Sequence, residues 1–362
     1  MTALQDRLAA RTLELVDIPS ESGREERIRE HVLSLVPPAL VLEHAADEAF
    51  LFVPRRRAGR SLVVLAGHYD TVPAQDNLPG RIADGAVHGL GATDMKGGLA
   101  VALELVRDIA GRDEARHDVG LLLFGREELP ATHNPLPALF AGSQAIHEAA
   151  LAILLEPTDG TIQAGCLGNV VARATFLGTS GHSARPWDAT NAIALAVEAL
   201  RPLLAHPPRE TVVGGLRFVE TLTVTRIVGG IADNVIPGEA VVTINLRYAP
   251  DRSPAEAEAL LRSLLPEDAR VELVGNAPAG QVATDAQLVR ELRSAGDLAV
   301  EPKLAWTNVA DFTMRGIDAV NFGPGHTALA HRSDERVTIA ALVHAYETLR
   351  RFLVGAIGED AA

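Results

Sequence analysis

Short apolar runs alternate along this chain with segments of helical periodicity, and that alternation constrains the fold more than any other feature. The run Ser61–Ala66 is short and nearly all apolar, which is typical of a strand buried on both faces of a sheet. Residues 95–110 then space their apolar side chains as a helix does, and an apolar run returns at 118–124. The pattern predicts an α/β fold in which helices flank a mostly parallel sheet.

From about Asn169 the pattern changes, because apolar and polar residues begin to alternate one by one. This alternation predicts strands with one solvated face, and two helical stretches, 191–206 and 253–265, lie between them. The resulting order, strand–helix–strand–strand–helix–strand, is typical of a small α+β sandwich. The first pattern returns after about residue 276.

A chain of 362 residues also exceeds the usual size of one domain. We therefore predict that residues 168–276 form a domain inserted into a larger one, which consists of residues 1–167 and 277–362.

Charge and cysteine content narrow the classes of function. Lys and Arg number 33 against 47 Asp and Glu, so the net charge of −14 argues against a nucleic-acid or anionic-membrane partner. A single cysteine, Cys166, can form neither an internal disulfide nor a thiolate metal cluster, which fits a reducing compartment. The first 20 residues lack the uncharged apolar core of a signal peptide, and no stretch approaches the roughly 18 apolar residues of a membrane span. The sequence predicts a cytoplasmic protein.

Acids and histidines gather where the predicted strands end, which is the edge where open α/β sheets bind ligands. The candidate side chains are His68, Asp70, Asp94, Glu127, Glu128, Glu156, His326 and His331. Singly, each has a structural explanation: His68 as a hydrogen-bonded core histidine, Asp94 as a helix cap, and the adjacent glutamates as solvent-exposed acids. Jointly these explanations are weaker, since a buried carboxylate costs several kcal/mol unless it is paired or binds a metal. Imidazoles and carboxylates without sulfur suit zinc and also cobalt or manganese, so we predict a site for two divalent ions.

Five short motifs occur in one order along the chain: GHYDTVP, GLGATDMKGG, REE, EP and AH..DE. In this order they resemble the aminoacylase and carboxypeptidase family of two-zinc amidohydrolases. The later segments GHSARPWDATNAI, ADNVIP, INLRYAPDRS and NFGPGHTALAHRSDERV are similar to the shorter succinyl-diaminopimelate desuccinylases of that family. The resemblance implies a zinc-exopeptidase-like catalytic domain and an inserted lid domain through which two copies dimerise.

The resemblance also implies the metal ligands. His68, Asp94 and Glu156 would hold one ion, while Asp94, Glu128 and His331 would hold the other, so that Asp94 bridges the two. His331 is preferred to His326 because AHRSDE matches the family motif.

Catalytic roles follow from the same comparison of motifs. Glu127 would be the general base, and Asp70 would orient the imidazole of His68. His182 would reach the active site of the partner subunit and stabilise the oxyanion there. A cis peptide between Asp94 and Met95 is a further family feature.

The substrate implied by the resemblance is a small N-acyl amino acid, and the expected activity is the removal of succinate from N-succinyl-LL-2,6-diaminopimelate. Asn234 and Arg247 would contact it, while Gly323 and Gly325 would bring backbone N–H groups close. The alternatives are a sister acetylornithine deacetylase, dipeptidase or carboxypeptidase, and a non-catalytic binding protein that has kept the fold.

Overall fold

The computed structural model describes residues 2–267 and 269–355, which fall into two compact units. The first unit runs to Gly165 and resumes at Ala283–Glu301 and from Asp311, and the second comprises Cys166–Val282 and Pro302–Ala310. The sequence assigned residues 302–310 to the first domain. They lie with the second because Leu167 donates its N–H to the carbonyl of Lys303 and Trp306 donates its indole N–H to Pro278.

The described residues form both helices and strands. The strands are β1 (Leu40–Ala46), β2 (Ala49–Pro54), β3 (Leu62–His68), β4 (Arg81–Ala83), β5 (Ala86–His88), β6 (Asp118–Phe124), β7 (Ala149–Pro157), β8 (Ile162–Cys166), β9 (Gly168–Leu177), β10 (Gly181–His182), β11 (Arg209–Val213), β12 (Leu216–Gly229), β13 (Val235–Ile236), β14 (Glu239–Tyr248), β15 (Arg270–Ala277), β16 (Val300–Lys303), β17 (Ala319–Gly323) and β18 (Arg336–Thr338). The α-helices are α1 (Ala3–Val16), α2 (Glu26–Ser34), α3 (Lys96–Ile109), α4 (Leu136–Gly142), α5 (Ala192–Leu204), α6 (Pro254–Ser263), α7 (Gln287–Gly296), α8 (Val309–Thr313) and α9 (Ile339–Val354). Among the described residues, none of the helices has the length and apolarity needed to cross a bilayer.

An eight-stranded sheet organises the first unit, in the order β1-β2-β6-β3-β7-β17-β8-β16. Its four central strands, β6, β3, β7 and β17, are parallel, while β1, β2 and β8 pair antiparallel toward the edges. Every residue of β3 and β6 is buried, as expected for strands covered on both faces. The prediction of an α/β fold with a mostly parallel sheet flanked by helices is confirmed.

Helix α3 follows the glycine-rich turn and packs on β3 and β7. A Cβ at Gly98 would overlap the carbonyl oxygen of Leu155, so the missing side chain lets the helix backbone approach β7 closely. This contact places the start of α3 beside the end of β7.

The second unit contains a five-stranded antiparallel sheet in the order β11-β12-β14-β9-β15. Burial alternates along β9 and β14, and their buried side chains form one core with those of α5 and α6. The four strands and two helices expected from the alternating pattern are present, and β11 is an addition. It forms a hairpin with β12 through Gly214 and Gly215, whose positive φ angles suit a tight turn.

Candidate metal centre

Parallel strands bring the predicted ligands of the first unit to one edge of the sheet. In register, Ala66 of β3 lies opposite Leu154 of β7, so two residues further along His68 and Glu156 become neighbours. Nε2 of His68 lies 3.8 Å from Oε1 of Glu156. Strand β6 ends at Phe124, opposite His68, and leads directly into Glu127 and Glu128.

The carboxylate of Asp94 lies between two imidazoles. Its Oδ1 is 3.3 Å from Nε2 of His68, and its Oδ2 is 3.4 Å from Nε2 of His331. The same nitrogen of His331 is 2.8 Å from Oε1 of Glu128. One ligand atom each from His68, Asp94 and Glu128 all lie within 4.8 Å of one another. The peptide bond between Asp94 and Met95 is cis, as the resemblance implies.

His68 provides a test of whether a cation fits here. Its side chain is fully buried, and Nε2 faces only carboxylate oxygens, Oδ1 of Asp94 at 3.3 Å and Oε1 of Glu156 at 3.8 Å. Nδ1 lies 3.1 Å from the carbonyl oxygen of Asp70, which can only accept, so a neutral His68 carries its proton on Nδ1. In that form Nε2 presents a lone pair 3.3 Å from Oδ1 of Asp94, and a metal ion between the two atoms would satisfy both. The residues present fit a divalent metal ion.

The pKa shifts of these groups arise from their close approach. Hydrogen bonds with Asp94 and then Glu128 raise the pKa of His331 to about 10. Burial alone would lower the pKa of His68, but its hydrogen bonds with Asp70 and Asp94 raise it well above the ordinary value. Burial would raise the pKa of Asp94, and the two imidazoles reverse this and lower it. The carboxylates thus draw positive charge to this position, as a cation site does.

Glu127 lies among charged groups that shift the pKa of its carboxyl. Burial raises the pKa of its carboxyl well above the ordinary value; the charge of His68 opposes that rise, while Glu156 and Glu128 add to it. In the metal-free protein this carboxyl therefore holds a proton more readily than an exposed glutamic acid does.

Asp70 makes more hydrogen bonds within this site than the sequence indicated. Its buried carboxylate accepts hydrogen bonds from the hydroxyl of Ser22 at 2.6 Å and from the backbone N–H groups of Glu127 and Glu128 at 3.1 and 3.2 Å. Sequence reasoning assigned Asp70 only to His68, because backbone donors leave no signal in a sequence. The structure therefore adds the acid pair, and Ser22, to the surroundings of this carboxylate.

The segment after β17 contains both candidate histidines and the two predicted glycines. His326 is exposed and lies 2.8 Å from Asp159, so it is His331 that meets Asp94. A Cβ at Gly325, whose φ is +101°, would overlap Oγ1 of Thr93 in the glycine-rich turn.

Gly323, the last residue of β17, makes a hydrogen bond with its backbone N–H. The backbone N–H of Gly323 donates to Oγ1 of Thr158 at 3.3 Å and is therefore engaged within the protein. This hydrogen bond disagrees with the expectation that Gly323 offers its N–H to a substrate.

The second unit brings together only some of its predicted site residues. His182 is exposed on β10, which pairs with β13, and Ser183 donates its N–H to the carbonyl of Asn234 at 3.0 Å. Asn234 lies just before β14, which begins at Glu239. Arg247 lies near the other end of this strand, eight residues beyond Glu239, which corresponds to about 27 Å of extended strand. Within this unit, His182 and Asn234 are neighbours and Arg247 is distant from both.

Strand ends and the loops that follow them bring two imidazoles and several carboxylates together at one edge of an α/β sheet, an arrangement typical of metal-dependent hydrolases. The model of peptidase family M20/M25/M40 matches residues 64–354, and the chain belongs to this family. It is accordingly a metal-dependent amidohydrolase that acts on a small-molecule amide.

Curated relatives match most of the chain. A Mycobacterium tuberculosis protein provisionally named succinyl-diaminopimelate desuccinylase is 38% identical over 346 residues, which cover 95% of this chain and 97% of the relative. Succinyl-diaminopimelate desuccinylase of Corynebacterium glutamicum is 34% identical and covers 94% and 95%. Acetylornithine deacetylase of Myxococcus xanthus is 30% identical and covers 81% and 80%.

Solved structures share the fold at much lower identity. Aminopeptidase PepT of Bacillus cereus superposes with a TM-score of 0.76 at 18% identity and covers 97% of this chain and 98% of its own. A metallo-carboxypeptidase of the M20 family from Sulfolobus solfataricus gives the same TM-score and the same coverage at 17% identity.

Proposed function

We propose that this chain hydrolyses N-succinyl-LL-2,6-diaminopimelate to succinate and LL-2,6-diaminopimelate, a reaction of lysine and cell-wall synthesis. The observation that carries the proposal is the 38% identity to the Mycobacterium tuberculosis relative over 95% of the chain. The Corynebacterium glutamicum enzyme supports it over a similar length. A biosynthetic role of this kind, together with the single buried cysteine, favours a cytoplasmic location.

The proposed cofactor is a pair of divalent ions, zinc by preference, with cobalt or manganese as substitutes. His68, Asp94 and Glu156 would hold one ion, and Asp94, Glu128 and His331 the other. The two oxygens of Asp94 support this division, because each faces a different imidazole at 3.3 or 3.4 Å.

When bound, the ions acidify the attacking water and polarise the amide carbonyl. In the proposed reaction Glu127 accepts a proton from that water, whose oxygen bonds to the succinyl carbonyl carbon. The carbon–nitrogen bond then breaks, and Glu127 returns the proton to the amine nitrogen. The position of Glu127 directly before the proposed ligand Glu128, with the backbone N–H of each donating to Asp70, supports this role.

Residues of the second unit would complete the reaction. We assign His182 to stabilising the carbonyl oxygen as it gains negative charge, and Asn234 and Arg247 to substrate carboxylates, for which a guanidinium is well suited. We also propose that Gly325 brings its backbone N–H close to the substrate.

We further propose a homodimer formed through the inserted domain. Ile193 and Val197 on α5 and Ile227 and Val228 on β12 are apolar and 36–51% exposed. From Thr221 onward β12 pairs with β14 only, so within the described residues its other edge is open to a second copy. In such a dimer His182 would act on the substrate bound by the partner.

Acetylornithine deacetylation is the second candidate function, and the Myxococcus xanthus relative is the observation that favours it. The decisive experiment supplies zinc-loaded protein with N-succinyl-LL-2,6-diaminopimelate, acetylornithine and simple dipeptides and follows amine release. We expect kcat/KM for the succinyl substrate to exceed the others by about 100-fold or more, since a site built for several polar groups rejects analogues that leave them unpaired. Turnover of acetylornithine alone would support the second candidate. No turnover by metal-loaded protein would support a non-catalytic binding protein.

A further inference from the structure

Glu335 places a buried carboxylate under the glycine-rich turn that contains Asp94. Glu335 is only 2% exposed. Oε2 accepts the N–H of Gly91 at 2.9 Å, and Oε1 accepts the N–H groups of Thr93 and Asp94, each at 3.0 Å. One carboxylate therefore accepts three backbone N–H groups of the turn, including that of the proposed bridging ligand itself.

The backbone of Glu335 is tied to the same elements. Its carbonyl accepts the N–H of Gly89 at 3.1 Å, and its own N–H donates to Arg332 at 3.2 Å. His331 lies four residues earlier, and its carbonyl accepts a hydrogen bond from the side chain of Gln75 at 2.9 Å. The loop that carries His331 and the turn that carries Asp94 are thus joined at Glu335.

A carboxylate is the side chain this position requires. Three converging N–H donors need acceptors only, and a charged acceptor makes stronger hydrogen bonds than a neutral one. Glutamine in place of Glu335 would turn an NH2 group toward one of these donors. Aspartate would keep the charge, but its carboxylate would be one methylene short of the turn.

We propose that Glu335 is a positioning residue of the metal centre, which fixes the turn so that Asp94 faces both imidazoles. The proposal rests on the function proposed above, in which Asp94 is a metal ligand. It adds a residue that touches neither metal nor substrate and acts through the backbone of Asp94. Partners of this kind, one step removed from a metal, commonly change affinity by about 10–100-fold when they are replaced.

The test compares metal-free wild type with E335Q by titration with Co²⁺, read by calorimetry and by the visible absorption of the bound ion. We expect Co²⁺ affinity about 10–100-fold weaker in E335Q, a changed absorption spectrum, and a fall in kcat with little change in KM. D334N is the matched control. Asp334 is the exposed neighbour; it pairs with Arg332 and Arg336 and accepts no hydrogen bond from the turn.

Wild-type Co²⁺ affinity and spectrum in E335Q would overturn the proposal, even with a lowered melting temperature, because Glu335 would then stabilise the fold alone. If E335Q yields no folded protein, E335D decides by the same readouts, with weakened affinity supporting the proposal and unchanged affinity overturning it. Failure of the wild type to bind Co²⁺ would overturn the proposed metal centre, and this inference with it.

Discussion

The backbone N–H of Glu127 donates a hydrogen bond to the buried carboxylate of Asp70 at 3.1 Å. The next N–H, of Glu128, donates to the other oxygen of the same carboxylate at 3.2 Å. Asp70 also lies beside Nδ1 of His68, with 3.4 Å between Oδ1 and that nitrogen. One acid therefore fixes the proposed base and two proposed metal ligands at the same time.

Replacing Asp70 by asparagine should damage metal binding and catalysis together. Asparagine offers one acceptor oxygen, so an N–H of the acid pair or the hydroxyl of Ser22 would face an NH2 group. We expect about 10–100-fold weaker Zn²⁺ binding by competition with a chelator, and a kcat lowered by at least that factor. Asp113→Asn, at a 99% exposed side chain, is the control for loss of charge. Full activity in D70N would refute this role of Asp70.

The two adjacent glutamates should separate chemistry from metal binding. Glu127→Gln removes the proposed base and should lower kcat by about 10²–10⁴-fold while zinc content stays at wild-type level. Glu128→Gln removes an oxygen that lies 2.8 Å from His331 and should lower the bound zinc toward one ion per chain. Zinc content, measured by atomic absorption, and kcat, measured on the same samples, test whether the two glutamates have these different roles. Equal effects of the two substitutions on zinc would contradict the division of roles.

Metal affinity should depend on pH, and the protonation of His331 determines whether it rises or falls with pH. Its pKa is raised to about 10 in the metal-free protein by Asp94 and Glu128, so the imidazole is protonated at pH 7. Its contribution to metal-free stability is complete below pH 6.5 and is lost as the pH rises through about 10. A metal needs the neutral imidazole, so binding at pH 7 should release protons and become tighter as the pH rises toward 10.

Calorimetry in buffers of different ionisation enthalpy measures the protons released. His331→Ala should release fewer protons and show a flatter dependence of metal affinity on pH. An unchanged proton count in that variant would show that other groups supply the protons.

Mixed dimers test whether His182 acts across the proposed dimer. Glu127→Ala and His182→Ala chains should each be nearly inactive alone. After dissociation and random reassociation, about a quarter of all sites would combine an intact Glu127 with an intact His182 from the partner, so activity should rise to about a quarter of the wild-type value. If His182 acted within its own chain, no site in the mixture would be intact and activity would stay low. Sedimentation of the mixture checks that dimers have formed.

The parts of the fold that were predictable from sequence are those with a local signal. Strands β3 and β6 are mostly apolar runs. His68 is the last residue of β3, and Glu127 and Glu128 follow β6, so both the sheet and the clustering of the proposed ligands could be anticipated. Strand β11 could not, because its five residues alternate between half-buried and exposed and its pairing depends on a glycine turn.

Two tertiary contacts that are made through backbone N–H groups could not be predicted from the sequence. The hydrogen bonds between Glu335 and the glycine-rich turn join residues about 240 positions apart in the sequence. Their donors are backbone N–H groups, which every non-proline residue has. The placement of residues 302–310 likewise follows from backbone pairing with Leu167.

The close approach of α3 to β7 gives a prediction about stability and the metal site at once. Alanine has the higher helix propensity by about 1 kcal/mol, so propensity alone favours Gly98→Ala. Its Cβ, however, would overlap the carbonyl oxygen of Leu155 and approach the Cβ of that residue to 2.9 Å. Overpacking of this kind costs about 1–3 kcal/mol or more, which outweighs the gain. We expect a lower free energy of unfolding for the metal-free protein, measured by chemical denaturation.

The displaced residue matters because Leu155 directly precedes Glu156, whose Oε1 lies 3.8 Å from Nε2 of His68. A shift of β7 that relieves the overlap would move this carboxylate, so Gly98→Ala should also bind zinc more weakly. Gly275→Ala is the control, because a Cβ there meets no atom within 4 Å, and its stability should stay within about 0.5 kcal/mol of wild type. Wild-type stability in Gly98→Ala would show that α3 can move away from β7, and wild-type zinc affinity would then show that Glu156 does not depend on this contact.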